Sequence, residues 1–148
     1  MIYSQAKAGR VFVIRLEDGE IIHKEIEELA LKENIQRGFL VLVGGADNGG
    51  KLVVGPEDGR SAPIVPMEHQ LQGVHEALGT GTLFPDSQGQ PTLHMHIACG
   101  RDGQSVAGCI RLGVKAWHVL EIILYELIDN SSVRRPDPET GFSLLRPE

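Results

Sequence analysis

The chain has 148 residues, 41% of them apolar, and its 14 Lys and Arg against 20 Asp and Glu leave a formal charge of −6. That length and apolar content fit one domain with its own core and exclude a disordered chain, while the acidic balance makes nucleic acid a poor partner. No apolar run approaches the ~20 residues of a membrane span, and the opening MIYSQAKAGR lacks the apolar stretch of a signal peptide, so the two cysteines point to a reducing cytoplasm and to thiols that are free or metal-bound.

In chain order, Arg10 to Leu16 is a β-branched, apolar strand closed by the turn signal Asp18-Gly19. Ile22, Ile26, Leu29 and Ala30 then recur at spacings of three and four, which predicts a helix that Gly38 stops and whose apolar stripe lies on a sheet. Phe39 to Val43 is a short apolar strand, the glycine-rich stretch Gly44 to Gly50 a turn, and Lys51 to Val54 its hairpin partner. That glycine stretch lacks the lysine and the strand–loop–helix setting of a phosphate loop. Pro56 to Pro66 reads as loop. Three strands follow in close succession, Gln72 to Phe84, Thr92 to Cys99 and Ser105 to Leu112, and then a long one from Trp117 to Ile128. The tail from Ser131 reads as solvated around Arg134-Arg135-Pro136, ahead of a short segment from Thr140 to Leu145. The expected fold is α+β: a single domain over residues 1–148, mainly antiparallel sheet with one principal helix packed on it.

The chemistry gathers on the Thr92 strand. His94 and His96 are separated by one residue, so a strand projects both imidazoles from one face, roughly 7 Å apart at Cα. That spacing lets two nitrogens converge on one metal ion. If the turn from Gly100 to Gln104 is tight, paired positions across the next hairpin sum to 205, placing Cys109 opposite His96 and Arg111 opposite His94. A thiolate beside two imidazoles suits a divalent metal of the zinc type, with one coordination position left open. The preceding hairpin, with Phe84 paired to Pro91, sums to 175. It puts Gly81 and Gly79 opposite the two histidines and turns His75 to the same face as a third nitrogen or a supporting group. Cys99 has the opposite parity and reads as a small core residue; His118, beside Trp117, as a packed histidine; His23 and His69 as solvated.

The runs VFVIRLEDGE (11–20), FLVLVGGADN (39–48), GTGTLF (79–84), LHMHIACGRDGQSVAGCI (93–110) and DPETGFSLL (137–145) together resemble the PPC domain, "plants and prokaryotes conserved", over nearly the whole chain. The resemblance implies a compact domain on an antiparallel sheet that associates as a homotrimer. It also implies a metal held by the histidines of an x-His-x-His strand and by a residue of the next strand. Many relatives carry Gly-Gly-His on that next strand where this chain has Ala107-Gly108-Cys109, so Cys109 stands in for a histidine and softens the site. The stretch HEALGTGTLF is similar to a histidine-bearing form in archaeal-type relatives, which favours His75 as a ligand. Plant relatives carry an Arg-Gly-Arg-Pro hook for DNA; this chain has none and resembles the stand-alone prokaryotic form. The expected activity is binding of a small anionic or carbonyl-containing molecule at the open metal position, the other reading being a non-catalytic oligomerisation module, stiffened by metal and linked to DNA-associated or regulatory complexes.

Overall fold

Side chains that alternate between two faces every second residue build most of this molecule. The computed structural model describes residues 1–147. Its strands are β1 (Lys7–Leu16), β2 (Gly38–Ala46), β3 (Lys51–Pro56), β4 (Pro66–Gln70), β5 (His75–Pro85), β6 (Pro91–Arg101), β7 (Gln104–Cys109), β8 (Ala116–Ile128), β9 (Val133–Pro136) and β10 (Ser143–Arg146), with one helix, α1 (Ile22–Lys32). The first eight form a sheet in the order β1-β8-β2-β5-β6-β7-β3-β4, and β9 and β10 pair as a separate ribbon. Every strand pairing is antiparallel. Among the described residues, no helix is long and apolar enough to cross a membrane.

The helix explains which face of the sheet is buried. Ile22, Ile26 and Ala30, each four residues from the next, are fully buried on one side of α1. Beneath them lie Leu40, Leu42, Leu83, Met95, Ile97, Leu120 and Ile122. The Leu93 amide donates to Glu27 Oε1 at 2.9 Å and pins the helix to the start of β6. The helix stops earlier than Gly38, because Asn34 takes a left-handed conformation (φ 54°) and the Ile35 amide closes back on Ala30 O at 2.8 Å. Gly38 instead opens β2.

Several connections differ from the sequence reading. Lys51 to Val54 belongs to β3, which pairs with β7 and β4 and not with β2; β2 runs on to Ala46, and its neighbours are β8 and β5. His69 lies on β4, an edge strand, and not in a loop. β5 begins at His75 and β7 ends at Cys109, both shorter than the apolar runs suggest.

The most consequential difference is in the β5–β6 hairpin. Pairs there sum to 176, not 175: Thr80 opposes His96 and Thr82 opposes His94, while Gly79 and Gly81 oppose Ile97 and Met95 on the buried face. The connection is a five-residue loop closed by Asp86, whose Oδ1 accepts the amides of Gln88 and Gln90. The glycines therefore leave room beneath the helix-side face, not above the metal-ligand candidates. A Cβ at Gly79 would meet Ile97 Cγ2 at 2.5 Å and the His96 carbonyl oxygen at 2.7 Å, whereas one at Gly59 would meet nothing within 4 Å. Gly79→Ala should cost about 1–3 kcal/mol through overpacking, and Gly59→Ala should be nearly neutral. Urea denaturation midpoints of the two variants check this.

Candidate metal centre

The β6–β7 hairpin turns through Asp102 (φ 50°) and Gly103 (φ 74°), both left-handed, as a tight two-residue connection requires. That turn sets Arg101 against Gln104 and, five pairs along, His96 against Cys109. The Ile110 amide carries the same register one step further to Met95 O, at 3.1 Å. Arg111 lies just beyond the end of β7, so it extends the cluster without forming a ladder pair with His94.

On the face away from the helix, His94 Nε2 lies 3.2 Å from His96 Nε2, with the rings edge-to-face and their centroids 5.0 Å apart. The ligand atoms of His94, His96 and Cys109 all fall within 4.8 Å of one another, a group that could hold a metal ion. Two nitrogens at ~2.0–2.1 Å from one tetrahedral zinc stand about 3.3 Å apart, so the spacing fits the ion without rearranging the strands. Both histidines are exposed and Cys109 is buried, which leaves solvent access on the imidazole side. Partial desolvation, then the charges of Arg134, His96 and Arg111, hold His94 below the ordinary imidazole range. It is therefore neutral at neutral pH, the form that ligates a metal.

Beside His96 and Cys109 opens a cleft of about 410 Å³, walled by Val53, Pro66 and Phe142 and lined by one charged side chain, Arg111. A second cation approaches from the other side. Arg134, placed by β9, donates from Nη2 to Thr82 Oγ1 at 2.9 Å, and Thr82 directly opposes His94. It lies over the Phe84 ring at 5.9 Å and is only 6% exposed. Burial lowers its pKa and the nearby Cys109 thiolate raises it. Arg134 is therefore a buried part of this centre and not the solvated tail residue its neighbours in sequence suggest. The signal available was weak: a cation in a tail that becomes a strand by pairing with β10 and is buried only where it meets β5.

His75 does not join the cluster. It shares the parity of Gly79 and Gly81, is buried on the opposite face, and has Nδ1 hydrogen-bonded to Gly73 O at 3.0 Å. There it borders a recess of about 150 Å³ with Cys99 and Arg101. Cys99 is fully buried and burial pushes its thiol up to about 11, so it stays protonated as a core residue. His118 is exposed and not packed: it sits in a bulge of β8 at φ 46°, against Trp117 and 3.6 Å from Asp18. His23 is half-buried, with an unpartnered Nδ1, and His69 is exposed.

A strand-borne His-x-His facing a cysteine, on the outer face of a helix-backed antiparallel sheet, defines a small domain with a surface metal-type centre. The family model of the Plants and Prokaryotes Conserved (PCC) domain matches residues 3–128, and the chain belongs to that family. Its fold superposes with a TM-score of 0.85 on a plant- and prokaryote-conserved protein of Pyrococcus horikoshii, 23% identical, covering 100% of this chain and 99% of that one. A metal-containing protein from Archaeoglobus fulgidus matches with the same TM-score at 19% identity, covering 99% of each chain. The bifunctional protein GlmU of a Synechococcus strain is 29% identical over 134 residues, 90% of this chain. The chain spans about a fifth of the length of that curated relative, 19%.

Replacing any of the three clustered donors should weaken metal binding by more than about 100-fold, the upper end of what loss of a mere outer-shell partner costs. Elemental analysis after dialysis should find metal lost from His94→Ala, His96→Ala and Cys109→Ala and kept by His75→Ala and His118→Ala. Equal retention by all five would dissolve the centre.

Proposed function

We propose that this protein is a homotrimeric metal-binding module whose His94, His96 and Cys109 hold a divalent ion of the zinc type and leave one coordination position for a small anionic or carbonyl-containing molecule. The observation that carries the reading is the mutual approach of three donors, and among the described residues of three only, beside an open cleft. Three protein ligands and a vacant position are the pattern of Lewis-acid zinc; four ligands are the pattern of structural zinc. With His75 on the far face, no fourth donor joins the group among the described residues of this chain, which favours the binding role over a purely stiffening one. When bound, such an ion polarises an oxygen placed on it. The chain's part is to hold the three donors at the right spacing and to wall the cleft with Val53, Pro66 and Phe142. The metal-containing character of the Archaeoglobus relative supports the same reading.

Self-association is supported by the outer face itself. Val11, Val13, Val41, Val43, Leu78 and Val119 are between 40% and 83% exposed there, an apolar expanse that monomeric proteins seldom leave bare. Phe39 and Tyr125 stack on the same face with centroids 6.2 Å apart. If the protein is the proposed trimer, a negative charge at the centre of that face, Val13→Asp or Val41→Asp, should yield monomer where the wild type sediments as trimer. A monomeric wild type would remove assembly from the proposal.

The metal reading is tested by chelation. Strands already paired by backbone hydrogen bonds should survive removal of the ion, so circular dichroism of the chelated protein should stay native. Unfolding on chelation would instead mark the ion as a folding element.

A further inference from the structure

Two guanidinium groups flank the His94–His96–Cys109 cluster, and among the described residues no carboxylate pairs with either. Arg134 is nine-tenths buried, yet among the described residues its Nε has no hydrogen-bond partner and its one side-chain acceptor is the neutral Thr82 hydroxyl. Arg111 lines the cleft beside His96 and Cys109 and has no side-chain partner among the described residues. Among the described residues, no acidic side chain lines that cleft. A buried cation with an unmet donor is costly and normally faces an anion. The Cys109 thiolate does not fill that role once it ligates metal: a dication and a thiolate sum to +1, and the two guanidinium groups raise the centre to +3.

We propose that the open metal position and Arg134 together hold a small dianionic oxyanion, a dicarboxylate or a phosphate monoester, with Arg111 as a second counter-charge in the cleft. This rests on the metal-binding reading above and adds the ligand class. One oxygen of the anion takes the vacant coordination position. A second accepts from Arg134, whose planar donors suit carboxylate and phosphate alike. Thr82 and the Phe84 ring hold the guanidinium in place beside His94. Arg134 is thus a positioning residue for the anion and not a metal ligand.

The test uses the cobalt-substituted full chain, whose visible absorption reports ligands entering the metal's coordination sphere. Succinate, inorganic phosphate and neutral imidazole are titrated separately, with metal content checked after each titration. Arg134→Met should weaken succinate and phosphate binding by about tenfold or more, the usual worth of a charged hydrogen bond, and leave imidazole affinity unchanged. Arg134→Lys should recover part of the loss. Arg111 is exposed, so Arg111→Met should fold even if Arg134→Met does not, and it too should weaken the dianions selectively. The tighter of the two dianions assigns the source, carboxylate or phosphate. Unchanged dianion affinity in both Met variants overturns the proposal, as does a wild type that answers imidazole but neither dianion; in both cases the metal centre stands. A wild type that takes up no cobalt removes both.

Discussion

The pairing of His96 with Cys109 across one hairpin is the constraint from which the rest of the site follows. Because strand side chains alternate faces, a slip of one residue there would send the thiol to the helix side and leave two histidines with no sulfur. The same alignment continues across the sheet without a break. Val13 opposes Ile123, Ile123 opposes Val41, Val41 opposes Thr80, Thr80 opposes His96, and Cys109 opposes Val53. At ~4.8 Å between strands, Val41 and His96 are separated by roughly 10 Å. The apolar face and the donor cluster are thus two ends of one cross-strand row, so whatever covers the first borders the second.

How far this was legible from the residues depended on the turns. Asp102-Gly103 is a two-residue signal with both positions left-handed, and a turn of that kind declares its own length; counting outward from it places Cys109 opposite His96. The Pro85-to-Pro91 connection carries no such declaration. Its five residues are held by the Asp86 side chain, and one residue of misjudged length changed the parity of the whole of β5. That single step turned Gly79, Gly81 and His75 to the wrong face at once. The class of fold and the His-x-His motif survived because neither depends on loop length.

Arg134 was hidden for a different reason. Its local sequence, Arg-Arg-Pro-Asp-Pro, is that of a surface tail, and nothing in its own neighbourhood is apolar enough to predict burial. Burial arises when β9 crosses the outer face and lays the guanidinium between Thr82 and Phe84. Contacts between segments 52 positions apart have no periodicity to betray them. The helix end shows the same limit at short range: Asn34 accepts a left-handed turn as glycine does, so the visible Gly38 was the wrong marker.

The two cysteines show what parity decides. Cys99 has an odd number on β6, the numbering of Met95 and Ile97, and goes with them into the core, where desolvation keeps its thiol protonated. Cys109 also has an odd number, but the odd sum of 205 pairs it with an even one, His96, and so reverses its side of the sheet. Residues of one type, ten positions apart and both buried, thereby acquire opposite chemistry. One sulfur is held as a neutral packing group; the other lies within 4.8 Å of the ligand atoms of both imidazoles, in the charge neighbourhood of Arg134. Substitution of cysteine for histidine at such a position changes the charge of the donor set by one unit. In the proposed reading, that change makes the balance of the surrounding guanidinium groups, more than the softness of sulfur, the feature that would select a ligand at an open metal position.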